Sequence, residues 1–286
     1  MFKTYSLENI RKHLDEGALP FSGTTAKGSA EFQFLRPAGY AGVALHAAHD
    51  VRPDVAKKMK ISPADRRYEE DPHTEAFLQS FPIQIVARYS RFEYDPNRPI
   101  KSAVYTTPDT CWNLDVWDQP QTEAEIAESL AKHQELHALM DIVAEYLLQN
   151  KRYGILFDLH SYNYQRKGPV AWHADPKPVI NLGTGSVNRD VFGDCIADFL
   201  TRLESFHIDG RQIYVAENEI FKGGHLARRL SRNHFDRLLV LAIEFKKVFM
   251  NELSGELYPD ILNQLVAQFE ITADDFTALP FFNSSG

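Results

Sequence analysis

Gly154-Ile155-Leu156-Phe157-Asp158-Leu159-His160, followed by Ser161, is a short apolar run that ends in a polar side chain. A run of this kind reads as a buried strand of an α/β sheet, with its histidine at the carboxyl end. Upstream it has a counterpart, Gly42-Val43-Ala44-Leu45-His46. Ligands of open α/β sheets sit in the crevice beyond the carboxyl ends of the strands. Two imidazoles delivered there from separate strands point to a metal site. Either histidine alone reads equally well as a strand-end side chain satisfied by hydrogen bonds.

Working outward from these strands, residues 1–38 read as an irregular lead-in, with a short helix within 4–16 and a Gly/Ser/Thr loop over 21–28. Residues 39–286 form the core of a single domain. Helical stretches are predicted over 53–59 and 72–78, and a strand over 82–87 that Phe92 to Asp95 extends or pairs with. The clearest helix covers 121–149, where Ile126, Leu130, Leu136, Leu139, Met140, Val143 and Leu147 recur at helical spacing. Strands over 179–182, 212–216 and 238–245 and helices over 191–206 and 261–269 complete the set. Strands alternating with helices predict one α/β domain with a mixed, mainly parallel sheet flanked by helices. No Pro/Gly/Ser-rich linker divides it.

With 286 residues and 44% apolar content, the chain is long enough for one large domain with a sizeable core. The formal charge of −8 argues against a general nucleic-acid or anionic-membrane surface. It leaves room for a small anionic substrate, because a few clustered arginines reverse the sign locally. Only Cys111 and Cys195 are present, which suits a reducing cytoplasm and excludes a Cys-x-x-Cys zinc knuckle. Met1-Phe2-Lys3-Thr4-Tyr5-Ser6 lacks a signal-peptide core, and no run of about 18 apolar residues exists to span a membrane. A cytoplasmic protein is expected; oligomeric state is left open.

Several motifs bear on chemistry. His46 and His49 form an H-x-x-H pair just after a strand. Within His133-Gln134-Glu135-Leu136-His137, the glutamate sits at the third position, which does not fit the H-E-x-x-H pattern of a zinc protease. Glu69-Glu70-Asp71-Pro72-His73 reads as the start of a helix, where acids cap exposed amides, or as the source of an oxygen ligand. Ser90-Arg91-Phe92-Glu93-Tyr94-Asp95-Pro96-Asn97-Arg98-Pro99 brings two arginines and an asparagine to one turn, a pattern suited to carboxylate recognition. Glu244 is a lone carboxylate near the end of an apolar strand, a position that suits a general base. Lys222-Gly223-Gly224-His225 opens a helix that includes Arg228 and Arg229.

Taken in order, these blocks resemble the N-formylglutamate amidohydrolase (deformylase) family, itself similar in architecture to zinc carboxypeptidases and aspartoacylases. The likeness runs from about residue 40 to 250. It rests on Leu45-His46-Ala47-Ala48, Asp71-Pro72-His73-Thr74-Glu75, the whole of Ser90 to Pro99, Asp158-Leu159-His160-Ser161, Asn181-Leu182-Gly183-Thr184, Phe221-Lys222-Gly223-Gly224 and Ile243-Glu244. The resemblance implies a zinc carboxypeptidase-like fold, one Zn²⁺ per chain and hydrolysis of N-formyl-L-glutamate or a close N-acyl amino acid, with a place in histidine degradation. It implies His46, Asp71 and His160 as metal ligands, with Glu70 and His49 as alternatives for the third. Glu244 falls on the general base. Asn97 and Arg98 fall on the pair that holds a substrate carboxylate, with Arg91 assisting, and His137 lies near a substrate-binding block. Ala47-Ala48 replaces the family's Ser-Gly, and Pro72 its usual Trp. Other readings are a zinc peptidase or amidase for a larger substrate, whose cleft residues 100–121 with Trp112 and Trp117 would shape, and a non-catalytic metal-binding relative.

Overall fold

The computed structural model describes residues 3–149 and 151–283; Met1 and Phe2, read above with the N-terminal stretch, lie outside the described residues. In chain order the elements are β1 (Thr4–Tyr5), α1 (Leu7–Asp15), β2 (Phe21–Thr25), β3 (Ala30–Phe34), β4 (Tyr40–Ala44), α2 (Pro53–Ala56), α3 (Pro63–Glu69) and β5 (Ile83–Ala87). These are followed by α4 (Glu123–Gln149), β6 (Gly154–Tyr162), β7 (Ile180–Gly183), α5 (Arg189–Leu203), β8 (His207–Ile208), β9 (Arg211–Gln212) and β10 (Val215–Glu217). Then come α6 (His225–Asn233), β11 (Leu238–Lys246), α7 (Pro259–Thr277) and α8 (Pro280–Asn283).

Nine strands form one sheet in the order β1-β2-β3-β5-β4-β6-β11-β7-β10. Five of its eight pairings are parallel: β1 with β2, β5 with β4, β4 with β6, β6 with β11 and β7 with β10. The sheet is therefore mixed and mainly parallel, as expected. Strand β6 is buried along all nine of its residues, which is why its sequence is nearly continuously apolar rather than alternating. One face packs Phe157, Leu159 and Ile243 against α5 and α7. The other packs Val43, Leu156 and Val240 against α1, α4 and α6.

Three local expectations are corrected. The lead-in is regular: after α1, the stretch read as a Gly/Ser/Thr loop is β2, and β3 runs antiparallel between β2 and β5. Its turn-forming composition hid a strand whose Phe21 and Thr25 are buried while Ser22 is exposed. The acidic run at Glu69 ends a helix instead of opening one. Ser62 Oγ accepts from Asp65 N at 3.1 Å and Pro63 takes the first turn, so α3 begins earlier and Glu69 is its last residue. Phe92 to Asp95 forms a turn, not a strand, with Glu93 N donating to Ser90 O at 2.9 Å.

Parallel pairing brings the carboxyl ends of β4, β6 and β11 together at mid-sheet. Glu244 is in register with His160, and Ala44 with Leu159.

Candidate active site

Beyond these strand ends, His46, Asp71 and His160 are all buried and converge. Asp71 Oδ2 lies 3.2 Å from His46 Nδ1 and 3.2 Å from His160 Nδ1. One ligand atom from each residue falls within 4.8 Å of the other two, a spacing one metal ion can bridge. Asp71 arrives from the loop after α3, where its N–H donates to His46 O at 2.9 Å. The main chain itself thus joins the acidic loop to the end of β4.

Each imidazole is backed by a second carboxylate. His46 Nε2 lies 2.9 Å from Asp95 Oδ1, and His160 Nε2 lies 3.0 Å from Asp158 Oδ1. Asp95 and Asp158 are fully buried, and neither Asp158 oxygen has a hydrogen bond of good geometry. Asp95, hydrogen-bonded to His46, fixes which ring nitrogen of His46 faces the cluster, and Asp158 sets a negative charge behind His160, an arrangement that suits metal ligands. Burial alone would raise the Asp71 pKa, but the two imidazoles hold it well below the usual carboxylate range. Burial alone would lower that of His160, but Asp158 and Asp71 hold it well above the ordinary value. Two neutralisable imidazoles around an ionised carboxylate in a buried pocket form a donor set that fits a divalent cation.

The alternative third ligands are engaged elsewhere. Glu70 is buried, pairs through Oε2 with His49 Nδ1 at 2.5 Å and accepts from Ser90 Oγ. Neither Glu70 nor His49 belongs to the converging cluster.

The cluster opens into a cavity of about 370 Å³. Glu244 lines it beside His160, and burial, with further contributions from the Asp71 and Asp158 carboxylates, pushes its carboxyl up to about 8. Five cationic side chains line the cavity (Arg91, Arg166, Lys177, Lys222 and Lys247) against three acidic ones (Glu69, Asp71 and Glu244). The local sign is thus opposite to that of the whole chain. A larger cavity, about 600 Å³, lies at the amino ends of β4 and β6 around Tyr40 and Asp274, remote from the cluster.

Asn97 and Arg91 line the cavity; Arg98 and His137 do not. Arg91 donates to Asp95 Oδ2 at 2.7 Å, and its buried Nε has no partner. The Arg98 guanidinium instead lies over Tyr105 at 4.8 Å and Trp112 at 5.8 Å, with Asp95 Oδ2 at 3.6 Å. His137, expected near the substrate, lies behind the cavity: its Nε2 meets Pro96 O at 2.9 Å, and its ring lies tilted against His133 at 4.3 Å. Being one turn from His133 on α4, it reaches the back of the Asp95–Asn97 turn instead of the cavity. Glu135, between the two histidines, points away and accepts from Lys27 N and Ser29 Oγ.

Asn97 is held by Leu226 N, which donates to its Oδ1 at 3.0 Å. A Cβ on Gly224 would stand 2.1–2.4 Å from the Asn97 amide, so only glycine fits there. The sequence motifs assign no role to Asp95, Asp158, Arg166 or Lys247. Asp158 had a readable signal, since residues two apart on a strand share a face. Lys247, which donates to the Tyr68 and Glu70 carbonyls at 2.7 Å, had none.

The profile of the N-formylglutamate amidohydrolase family matches residues 43–250. The chain belongs to that family, whose members hydrolyse amide bonds. The structure of N-formylglutamate amidohydrolase from Ralstonia eutropha JMP134 superposes with a TM-score of 0.67 at 16% identity, covering 87% of this chain and 98% of that one. A gene product of Agrobacterium tumefaciens, Atu2144, superposes with a TM-score of 0.60 at 19% identity, covering 87% and 96%. At these identities the two likenesses show a shared fold. No curated protein matches the sequence. Among the described residues, no helix is long and apolar enough to cross a membrane.

Proposed function

We propose that this member of the N-formylglutamate amidohydrolase family is a zinc-dependent enzyme that cleaves N-formyl-L-glutamate, or a close N-acyl amino acid, to formate and the free amino acid. The observation that carries the reading is the convergence of His46, Asp71 and His160 beside Glu244 in one cationic cavity. When bound to that triad, Zn²⁺ supplies Lewis-acid polarisation of the amide carbonyl and lowers the pKa of a water toward about 7. Glu244 takes the proton of the attacking water and later gives it to the leaving nitrogen. Glu244 is in register with His160 on the adjacent strand and lines the same cavity, which supports this role. Arg91 and Asn97 hold a substrate carboxylate, and Asp95 fixes the orientation of Arg91. Arg98, outside the cavity wall, supports the anchor through Asp95, whose Oδ2 lies 3.6 Å from its Nε. Positioning of this kind removes several kcal/mol from a barrier, on the order of 7 or more in well-oriented cases.

The peptidase reading calls for an open groove. Trp112, from the 100–121 segment, stands in the wall of a cavity of about 370 Å³, which favours a small substrate. The deciding experiment is formate release from N-formyl-L-glutamate by zinc-loaded protein, beside acetate and succinate release from the N-acetyl and N-succinyl analogues. Formate release abolished by a chelator and restored by Zn²⁺ is expected. Absence of amide cleavage from all three compounds rejects the reading.

A further inference from the structure

Trp112 stands out on two independent grounds. Its backbone and that of Asn113 are both left-handed, at φ +55° and +62°. Two successive non-glycine residues in this region are strained, and such strain persists only where the surroundings enforce it. Here they do. Residues 100–121 pack Tyr105, Cys111 and Val116 against Phe92 in a small core. Trp117 Nε1 donates to Tyr105 O at 2.7 Å, and Asn113 N to Pro108 O at 2.8 Å. The segment is built as a rigid bracket.

What the bracket presents is an indole. Trp112 is 42% exposed, although its neighbours Tyr105 in the bracket and Phe92 beneath it are fully buried. The ring lines the cavity that holds His46 and Asp71. It lies against the Arg91 guanidinium at 4.7 Å and within 5.8 Å of that of Arg98. A large apolar face kept in the open at the expense of backbone strain, in a wall otherwise rich in charge, is suited to a ligand's hydrocarbon part. It also shields one face of each guanidinium from water, which strengthens their attraction for an anion.

We propose that Trp112 determines specificity: its indole packs against the side-chain methylenes of the amino-acid half of the substrate while the adjacent arginine takes its carboxylate. The inference rests on the function proposed above and extends it, by assigning the selection of a chain-bearing acidic amino acid to a residue outside the ligand, base and anchor set. Glycine, without a side chain, gains nothing from the indole.

The test compares wild type, Trp112→Phe and Trp112→Ala on N-formyl-L-glutamate, N-formylglycine and N-acetyl-L-glutamate, with zinc content and thermal midpoint measured for each variant. For Trp112→Ala, a rise in KM for N-formyl-L-glutamate of about tenfold with little change in kcat is expected, and a similar fall in the glutamate-to-glycine ratio of kcat/KM. Trp112→Phe restores most of both. An unchanged glutamate-to-glycine ratio overturns the proposal, as does a shift in the formyl-to-acetyl ratio instead, which would put the indole against the acyl group. Loss of zinc together with kcat would mark a structural role and also overturn it. Binding of L-glutamate, read as a change in tryptophan fluorescence that disappears in Trp112→Phe, tests the same contact without turnover. If wild type hydrolyses none of the amides but still shows this signal, the hydrolytic reading fails and the Trp112 contact stands.

Discussion

One oxygen of Asp71 faces two imidazoles at equal distance, and each imidazole leans on a carboxylate of its own. At this scale the roles separate cleanly by substitution. His160→Ala is expected to lose most of about one equivalent of zinc, read by metal analysis of the purified protein. Glu244→Gln keeps the zinc and loses turnover by about 100-fold or more, because the isosteric amide cannot shuttle a proton. Zinc retained in full by the first variant, or normal turnover in the second, rejects the respective assignment. His137 gives a prediction about acid stability. Burial, then neighbouring His133 and Arg229, with His225 adding to them, push its pKa from 6.5 down to about 3. Between those values the unfolded chain binds a proton that the folded one does not, so stability falls as pH drops from 6.5 toward 3. His137→Gln removes up to about 1.4 kcal/mol per pH unit of that slope, and urea titrations at pH 7, 5.5 and 4.5 measure it.

At the scale of elements, the loop bearing Asp71 continues into a 3₁₀ turn, Thr74–Leu78, that packs on the sheet. Its Phe77 stacks on Phe245 of β11 at 4.1 Å, one residue beyond Glu244, and meets Phe249 and Phe269 edge-on. Phe77→Ala leaves a cavity there and is expected to cost about 3–5 kcal/mol of stability, measured by denaturant unfolding. The start of α6 makes a second such connection. Gly224→Ala drives a methyl into the Asn97 amide, and the displaced turn is expected to lower kcat/KM by about 100-fold while the far-ultraviolet circular dichroism stays unchanged. Normal kcat/KM in Gly224→Ala would remove Asn97 from the anchor.

For the whole molecule, the N-terminal residues are part of the sheet. β3 covers the edge of β5 along its full length, from Ala30 opposite Ala87 to Phe34 opposite Ile83. Phe21, Phe32 and Phe34 form one aromatic group beneath α1, with Phe21 and Phe34 stacked at 5.0 Å. Deleting residues 1–35 uncovers both the strand edge and these contacts, so the truncated chain is expected to aggregate. Size-exclusion chromatography of the truncated chain checks this; a monodisperse, folded 36–286 fragment would contradict it.

The sequence by itself determined the central strands, because nearly unbroken apolar runs such as 154–159 have no other comfortable place than a two-sided sheet interior. It also determined the order of the chemical blocks, and hence the family. Its N-terminal strands were hidden, since Gly, Ser and Thr suit a turn as readily as a half-buried strand. Only the tertiary structure set Asp71, rather than Glu70 one residue away or His49 three residues from His46, against both imidazoles. It did so by burying Glu70 against His49 and Ser90 and leaving Asp71 alone facing both imidazoles. Likewise it put Arg91 rather than Arg98 in the cavity wall. Spacing along a chain constrains which residues can meet, but a loop can turn either of two neighbours inward. The choice falls to burial, because a buried carboxylate must find its own partner.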